Sequence, residues 1–217
     1  IERCLARGEP VGIDGTSFVD CLLADFGLRA DDAPLAAITL AGEGRDPSDH
    51  YWLRADPISL QPTMHRLTGG ALPAGELDWS EARARAGVLA PHLDADGYEL
   101  VLEHPQRWYV RCPSPQQLRT VAPPHDNALL DETMMPAGRD AARWQRLMTE
   151  AQMLFHAADV DRDREAQGRR PVNGIWVWGG GQAPQTTHAP YTAVFSDDVL
   201  ARGLGRLSGA ATSSLPE

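Results

Sequence analysis

The chain has 217 residues, of which 42% are hydrophobic and 23% are charged, and its formal net charge is −10. This composition is typical of a folded globular protein and excludes an intrinsically disordered one. No apolar run approaches the roughly 20 residues of a membrane-spanning helix, and an acidic chain without a clustered basic face is a poor nucleic-acid ligand.

The first part of the chain is predicted to be mainly helical. Apolar residues at helical spacing predict a helix over 16–26. Asp32 is predicted to cap a second helix, which ends at Gly42. Residues 51–56 have the pattern of a short strand, and Pro57 is predicted to end it, because proline restricts the residue before it.

Residues 60–136 are predicted to form a different unit with mixed secondary structure. A helix is predicted over 80–93, with Ser80 as its cap. Strands at 98–103 and 107–112 are separated by three residues, which predicts a β-hairpin. Ser114 is followed by proline, a pair typical of a helix start, and therefore predicts another short helix.

The last third alternates between helices and a strand. An amphipathic stripe predicts a long helix over 138–156, and the charged segment 161–170 is predicted to be a solvated face. A strand is predicted within 171–181. Ser196 is predicted to cap a further helix, and the small, polar tail 210–217 is predicted to fray.

The strand within 171–181 is the most distinctive segment of the chain. Ile175 and Val177 point to one face and Trp176 and Trp178 to the other, so both faces are apolar. Such a strand is typical of a parallel sheet that is covered by helices. Glycines 179–181 follow directly and predict a sharp turn at the end of the strand, where ligands of open α/β sheets bind.

This turn is the candidate ligand site. Its backbone N–H groups could hold a small anion, and we therefore predict weak ligand contacts for Gly179, Gly180 and Gly181, together with Asn173 and His188. The glycines fit neither a Walker nor a dinucleotide-binding motif. A Walker-type site is excluded, because the chain contains no Lys.

Other polar clusters have simpler explanations than catalysis. Residues 14–17 place an acid beside two hydroxyls, but an N-cap explains this pattern better than a metal-bound nucleophile. Asp49 with His50, and His125 with Asp126, could each contribute to a metal or phosphate site, although surface turns explain them as well. Histidines at the spacing of a helical metal pair do not occur in the sequence.

Several features from Leu93 onward follow one another in a specific order: the hairpin strand with residues 107–110, the helix 138–156, the pattern N-x-I-W-x-W-G-x-G at 173–181, and a helix at 195–204. This order resembles the cofactor-independent phosphoglycerate mutases of the archaeal type, within the alkaline phosphatase superfamily. A closer resemblance, which includes residues 52–57, is to a bacterial phosphoglycerate mutase-like group known as regulatory protein E of the pathogenicity-factor regulon.

The resemblance implies catalysis with two divalent metals, an early Asp with a Ser or Thr nucleophile, and later Asp and His ligands. However, no strand is predicted before Thr16, and the sequence lacks the late Asp-His segment. We therefore expect that the catalytic machinery has been lost, as the bacterial regulatory group suggests, or that it lies outside this sequence. No cofactor is expected, and Mn²⁺ or Mg²⁺ would bind only if the protein is an enzyme.

Together these patterns predict an α/β protein with a phosphatase-type, partly parallel sheet covered by helices. Residues 1–59 would form a helical part of the main domain, 60–136 an inserted α/β region, and 137–217 a helix and sheet segment.

The predicted function is a non-catalytic regulatory or small-anion-binding protein; the alternative is a fragment of a metal-dependent phosphomutase or phosphatase. A small phosphorylated metabolite or a regulatory protein is the expected partner. Three cysteines without C-x-x-C spacing favour the cytoplasm.

Overall fold

The computed structural model describes residues 17–62, 67–125, 128–184 and 188–215. Helices and strands are interspersed along these ranges. The helices are α1 (Phe18–Asp25), α2 (Leu35–Glu43), α3 (Trp79–Asp94), α4 (Ala141–Ala157), α5 (Arg162–Ala166) and α6 (Val199–Leu207), with short 3₁₀ turns at Ala30–Asp32 and Glu132–Met134. The strands are β1 (Tyr51–Pro62), β2 (Leu67–Ala71), β3 (Glu99–His104), β4 (Arg107–Cys112), β5 (Ala128–Leu129), β6 (Gly174–Gln182), β7 (Ala193–Phe195) and β8 (Ala211–Ser213).

Two sheets are present in the described ranges. The larger has six strands in the order β3-β4-β1-β2-β5, with β6 also paired to β1, and its pairings are antiparallel. The smaller consists of β7 and β8, which are parallel and are connected by α6. The predicted α/β class is therefore confirmed. The described parallel pairing is confined to the small sheet, and the buried Trp-rich strand pairs in the antiparallel sense.

Strand β1 is the centre of the larger sheet. It was predicted to end at the Asp-Pro pair, yet it continues through Pro57 to Pro62. Its pairing with β4 ends at Arg54, whereas Pro57 lies opposite Ile175 of β6. A proline is tolerated where one edge of a strand has no ladder partner, and here the strand continues past it.

Helices cover both faces of this sheet. On one face Leu53 and Ala55 of β1 pack in a cluster with Trp144 and other residues of the α4 stripe, which confirms that amphipathic helix. On the other face Trp52 packs with Ala37 and neighbouring small residues of α2. Since successive strand residues point to opposite faces, the two helices enclose β1 from both sides.

Helix starts were predicted less accurately than helix positions. Three predicted N-caps lie two residues from the observed ones. The observed N-caps are Pro34 instead of Asp32, Asp78 instead of Ser80, and Asp198 instead of Ser196. The start of α3 gives the reason. Asp78 accepts a hydrogen bond from the Glu81 N–H and donates its own N–H to the Glu81 carboxylate, a reciprocal box that satisfies two groups at once.

Two further segments differ from their predictions. The helix predicted at Ser114 does not form, because the N–H groups of this segment bind elsewhere: that of Gln117 donates to the Asp140 carboxylate, and Arg119 pairs with Ala137. The tail predicted to fray contains β8, which is held by its ladder with β7.

The predicted division into three segments stays a prediction. The larger sheet contains strands from each of them, and β1 includes both residue 59 and residue 60. Among the described residues, no helix is long and apolar enough to cross a membrane.

Candidate functional site

The three glycines continue β6, although they were predicted to form a turn after it. Trp178 lies opposite Arg54 and Gly181 opposite Trp52, so β6 has one more residue than β1 over this stretch. Gly179 takes up this bulge with φ +67°, a conformation that favours glycine. Its N–H donates to the Thr120 hydroxyl at 3.0 Å.

The glycines also permit close packing of the strand against the start of α2 and against a side chain of β1. A Cβ at Gly181 would lie 2.5 Å from the Cβ of Pro34, and one at Gly180 would lie 2.6 Å from the Tyr51 hydroxyl. The start of α2 and the Tyr51 side chain therefore leave no room for a larger residue at these two positions. Whether the same glycines contact a ligand stays a prediction.

The other two predicted site residues have separate surroundings. The Asn173 side chain accepts a hydrogen bond from the Leu60 N–H at 2.8 Å and donates to the Leu60 carbonyl at 2.9 Å. Because Asn173 precedes β6 and Gly180 lies near its end, the strand separates them by about 20 Å. His188 is exposed and lies beside Gly27, where a glycine Cβ would be 3.6 Å from its own Cβ. The structure does not bring Asn173 together with the glycines.

A buried ion pair lies beside β6 and was not predicted. Arg54 and Asp56 are 5% and 6% exposed, and the guanidinium donates to both carboxylate oxygens at 2.9 and 2.7 Å. The indole N–H of Trp178 and the backbone N–H of Trp108 also donate to Asp56, at 2.8 and 3.2 Å. Four hydrogen bonds thus satisfy the carboxylate inside the fold.

Aromatic rings enclose the Arg54 guanidinium. Its central carbon lies 5.0 Å from the ring centre of Tyr109 and 5.1 Å from that of Trp178, which are distances of cation–π contact. Burial raises the pKa of Tyr109 to about 12. Burial also raises the pKa of Asp56, against the lowering effect of Arg54 and the two N–H donors.

This geometry indicates that the cluster stabilises the fold. Because the Arg54 donors face Asp56 and Thr39 and the side chain is buried beside two rings, the cluster offers little access to a phosphate group. It connects β1, β4, β6 and α2 in a single network. The sequence contained a signal for it, since an acid two residues after an arginine on a strand lies on the same face.

A second buried network corrects the prediction that 161–170 is a solvated face. Arg164 is 1% exposed and binds the carboxylates of Glu76 and Glu81. Arg85 is fully buried, pairs with Asp161 and donates to the Val172 carbonyl at 2.8 Å. Some charged side chains of 161–170 therefore pair with opposite charges across the fold, while others face solvent.

The remaining predicted ligand pairs do not converge on a metal centre in the described structure. The His50 ring lies 3.4 Å from Arg111, and His125 is exposed. Asp126 and residues 14–16 lie outside the described residues. Within the described ranges, no group of three or more His, Cys, Asp and Glu side chains could hold a metal ion.

A pocket of about 260 Å³ lies between the larger sheet and α4 and was also missed. Ile58, Leu60 and Trp176 from the sheet and Met148 from the helix form its buried floor. Its lining residues are far apart in sequence, which is why sequence patterns did not indicate it.

The chain is similar in sequence to named enzymes. No protein-family model matches it. It is 28% identical over 164 residues to a probable 2,3-bisphosphoglycerate-independent phosphoglycerate mutase of Geobacter sulfurreducens, and the match covers 72% of this chain and 41% of the relative. It is 31% identical over 171 residues to the mutase of that name from Methanosarcina barkeri, covering 72% and 42%. The chain thus spans about two-fifths of the length of these relatives.

Solved structures with the same fold agree with this similarity. A cofactor-independent phosphoglycerate mutase from Thermoplasma acidophilum matches with a TM-score of 0.51 at 20% identity, over 96% of this chain and 58% of that one. A protein from Pyrococcus horikoshii matches with a TM-score of 0.54 at 15% identity, over 95% and 48%. The chain is therefore similar to the cofactor-independent phosphoglycerate mutases, as its sequence patterns indicated.

Proposed function

We propose that the chain is part of a metal-dependent phosphomutase or phosphatase that acts on a phosphoglycerate or a related phosphate ester. The observation that carries this proposal is the sequence similarity to two named mutases over 72% of the chain. The fold likeness to a third mutase over 96% of the chain supports it.

The small parallel sheet adds support from geometry. Parallel sheets are covered on both faces and consist of several strands, but β7 and β8 pair only with each other among the described residues. Val194 packs toward α6, whereas Phe195 on the opposite face is 60% exposed. This is the arrangement expected at the margin of a larger parallel sheet to which other parts of a longer polypeptide contribute strands.

The described residues do not fit a two-metal centre, so no catalytic step is assigned to them. Under this proposal Mn²⁺ or Mg²⁺ would bind ligands outside the described ranges and stabilise charge on the transferred phosphoryl group. The chain described here would contribute the sheet, its helical cover and part of the surface around the substrate.

The relatives reported above are named as mutases, so they favour an enzyme over the non-catalytic regulatory or anion-binding role predicted from the sequence. The resemblance to the regulatory protein E group remains a prediction. A phosphorylated metabolite or regulatory protein as partner and a cytoplasmic location also remain predictions.

Metal-linked ligand binding tests the proposal. We expect the melting temperature of the natural full-length protein to rise with 3-phosphoglycerate when Mn²⁺ is present and to change much less after chelation. Glycerate, which lacks the phosphate, serves as the control ligand. An equal shift with and without metal would contradict the enzyme and support the non-catalytic role.

A further inference from the structure

The pocket between the larger sheet and α4 has the size of a small-molecule site. Its volume is about 260 Å³, whereas a cavity of about 150 Å³ accommodates a benzene ring. Trp176 and Ile58 on its floor are 2% and 1% exposed, so a ligand would rest on side chains that are already fixed by packing. The pocket therefore has room for one aromatic ring with a short chain.

The polar atoms of the pocket are mainly hydrogen-bond acceptors. The Thr149 hydroxyl donates to the Gln145 carbonyl at 3.1 Å, and the Gln152 amide N–H donates to the Met148 carbonyl at 3.4 Å. The Thr149 hydroxyl proton and one of the two Gln152 N–H groups are thus used within α4, while the side-chain oxygens of both residues remain available to accept. A group rich in N–H donors complements such a surface.

Two carboxylates stand at the mouth of the pocket. Asp131 and Glu132 both line it and are exposed, and its described lining contains no basic side chain. Asp131 accepts hydrogen bonds from the side chain and backbone of Thr133, and these bonds lower its pKa. Among the described residues, these two carboxylates place negative charge at the mouth, over a floor of apolar side chains.

We propose that this pocket binds a small organic cation, an aryl-alkyl or alkyl amine whose apolar body lies on Trp176 and Met148 and whose ammonium group faces Asp131 and Glu132. The negative mouth disfavours phosphate esters, so the phosphate-ester substrate proposed above is not the ligand of this pocket. The proposal does not depend on the enzymatic function of the protein.

Three probes that share a phenyl ring on a two-carbon chain test the charge preference: 2-phenylethylamine, 2-phenylethanol and 3-phenylpropionate. Calorimetry should give the amine a dissociation constant on the order of 0.1–1 mM, as expected for a ligand of this size. The alcohol should bind about fivefold more weakly, because it lacks the charge, and the carboxylate more weakly still. Equal affinities, or no binding of the amine, would overturn the proposal.

Methionine methyl groups report where the probe binds. In protein with ¹³C-labelled methionine methyls, the signals of Met135 and Met148, which line the pocket, should shift with the amine. Met153 lies in α4, like Met148, but it is 67% exposed and does not line the pocket, so its signal should not shift. A shift at Met153 alone would place the amine elsewhere and contradict the assignment.

Matched variants separate the pocket from its surroundings. Leu130→Trp fills the pocket and should weaken amine binding at least tenfold, whereas Leu129→Trp alters an exposed neighbour outside the lining and should have little effect. Glu132→Gln should reduce the preference for amine over alcohol, while Glu150→Gln removes an equal charge outside the lining. Equal effects within either pair would overturn the proposal, and melting temperatures check that each variant is folded.

Discussion

At the scale of single residues, the fold depends on a buried ion pair. Arg54 and Asp56 lie on the same face of β1, and each is satisfied only by the other and by groups that packing places around them. Removing one member leaves a buried charge without its partner, which costs about 3–5 kcal/mol. An exposed pair contributes at most about 1 kcal/mol.

We therefore expect Arg54→Met to lower the free energy of unfolding by about 3–5 kcal/mol, as measured by chemical denaturation. Arg45→Met is the matched control, because Arg45 pairs with Glu103 but its side chain is 56% exposed, and its loss should cost no more than about 1 kcal/mol. Similar losses in both variants would contradict the structural role of the buried pair.

His104 at the hairpin should make stability depend on pH. Burial, and then the nearby Arg107, lower the pKa of His104, and its Nδ1 accepts a hydrogen bond from the Gln106 N–H at 3.1 Å. The unfolded chain therefore binds the proton more readily than the folded one. Stability should fall as the pH is lowered from about 6.5, the ordinary histidine value, through the depressed pKa of the folded state.

The measurement is denaturation of the wild type and His104→Asn between pH 7.5 and 5. Asparagine keeps an acceptor for the turn but does not titrate, so the variant should lose less stability than the wild type as the pH falls. A titration of the histidine ring by NMR should give a pKa below 6.5. A pKa above that value would contradict the effect of burial.

At the scale of elements, the contact between α2 and α6 requires glycine on both helices. A Cβ at Gly42 would lie 1.8 Å from the Val199 carbonyl oxygen, and one at Gly203 would lie 1.9 Å from that of Ile38. These are backbone atoms, so neither helix can yield without moving as a whole. Gly42 was predicted to end α2 but lies inside it, because the sequence pattern does not show which residue faces this glycine.

We expect Gly203→Ala to destabilise the protein by about 2 kcal/mol or more, because the helices must separate. Gly87→Ala is the control: Gly87 lies in α3, and an added Cβ there meets no atom within 4 Å. That variant should gain about 0.5–1 kcal/mol, since alanine favours a helix more than glycine does. Thermal denaturation measures the stability of both variants. A Gly203→Ala variant as stable as the wild type would contradict the close contact between the helices.

Elements with strong local patterns could be predicted from the sequence. The stripe of α4 and the hairpin of β3 and β4 were predicted to within a few residues, because period and turn are local properties. The path of β1 through Pro57 and the position of Gly179–Gly181 within β6 could not be predicted in this way. Both depend on which strand lies alongside, and that is decided by contacts between distant residues.

The candidate site was predicted less well than the fold for the same reason. Asn173 and the glycines are close in sequence, but a strand between them holds them apart. The pocket and the Arg54 cluster instead join residues from three or more elements. Only the spacing of Arg54 and Asp56 on one strand gave a local signal.

At the scale of the whole molecule, similarity and architecture lead to the same proposal. The chain covers about two-fifths of named mutases, and its small parallel sheet has an uncovered face at Phe195. If a larger sheet contributes further strands, that face should be buried in the natural protein. Fluorine NMR of 4-fluorophenylalanine at position 195 should then show a solvent-shielded ring, and a solvent-exposed ring would contradict the larger sheet.

Turnover of a phosphoglycerate is the decisive measurement of enzymatic function. Phosphorus NMR can follow 3-phosphoglycerate incubated with the natural full-length protein and Mn²⁺, without 2,3-bisphosphoglycerate. We expect 2-phosphoglycerate, or inorganic phosphate if the enzyme is a phosphatase, to accumulate with metal and not to accumulate after chelation. An unchanged spectrum from folded, metal-replete protein would contradict this expectation.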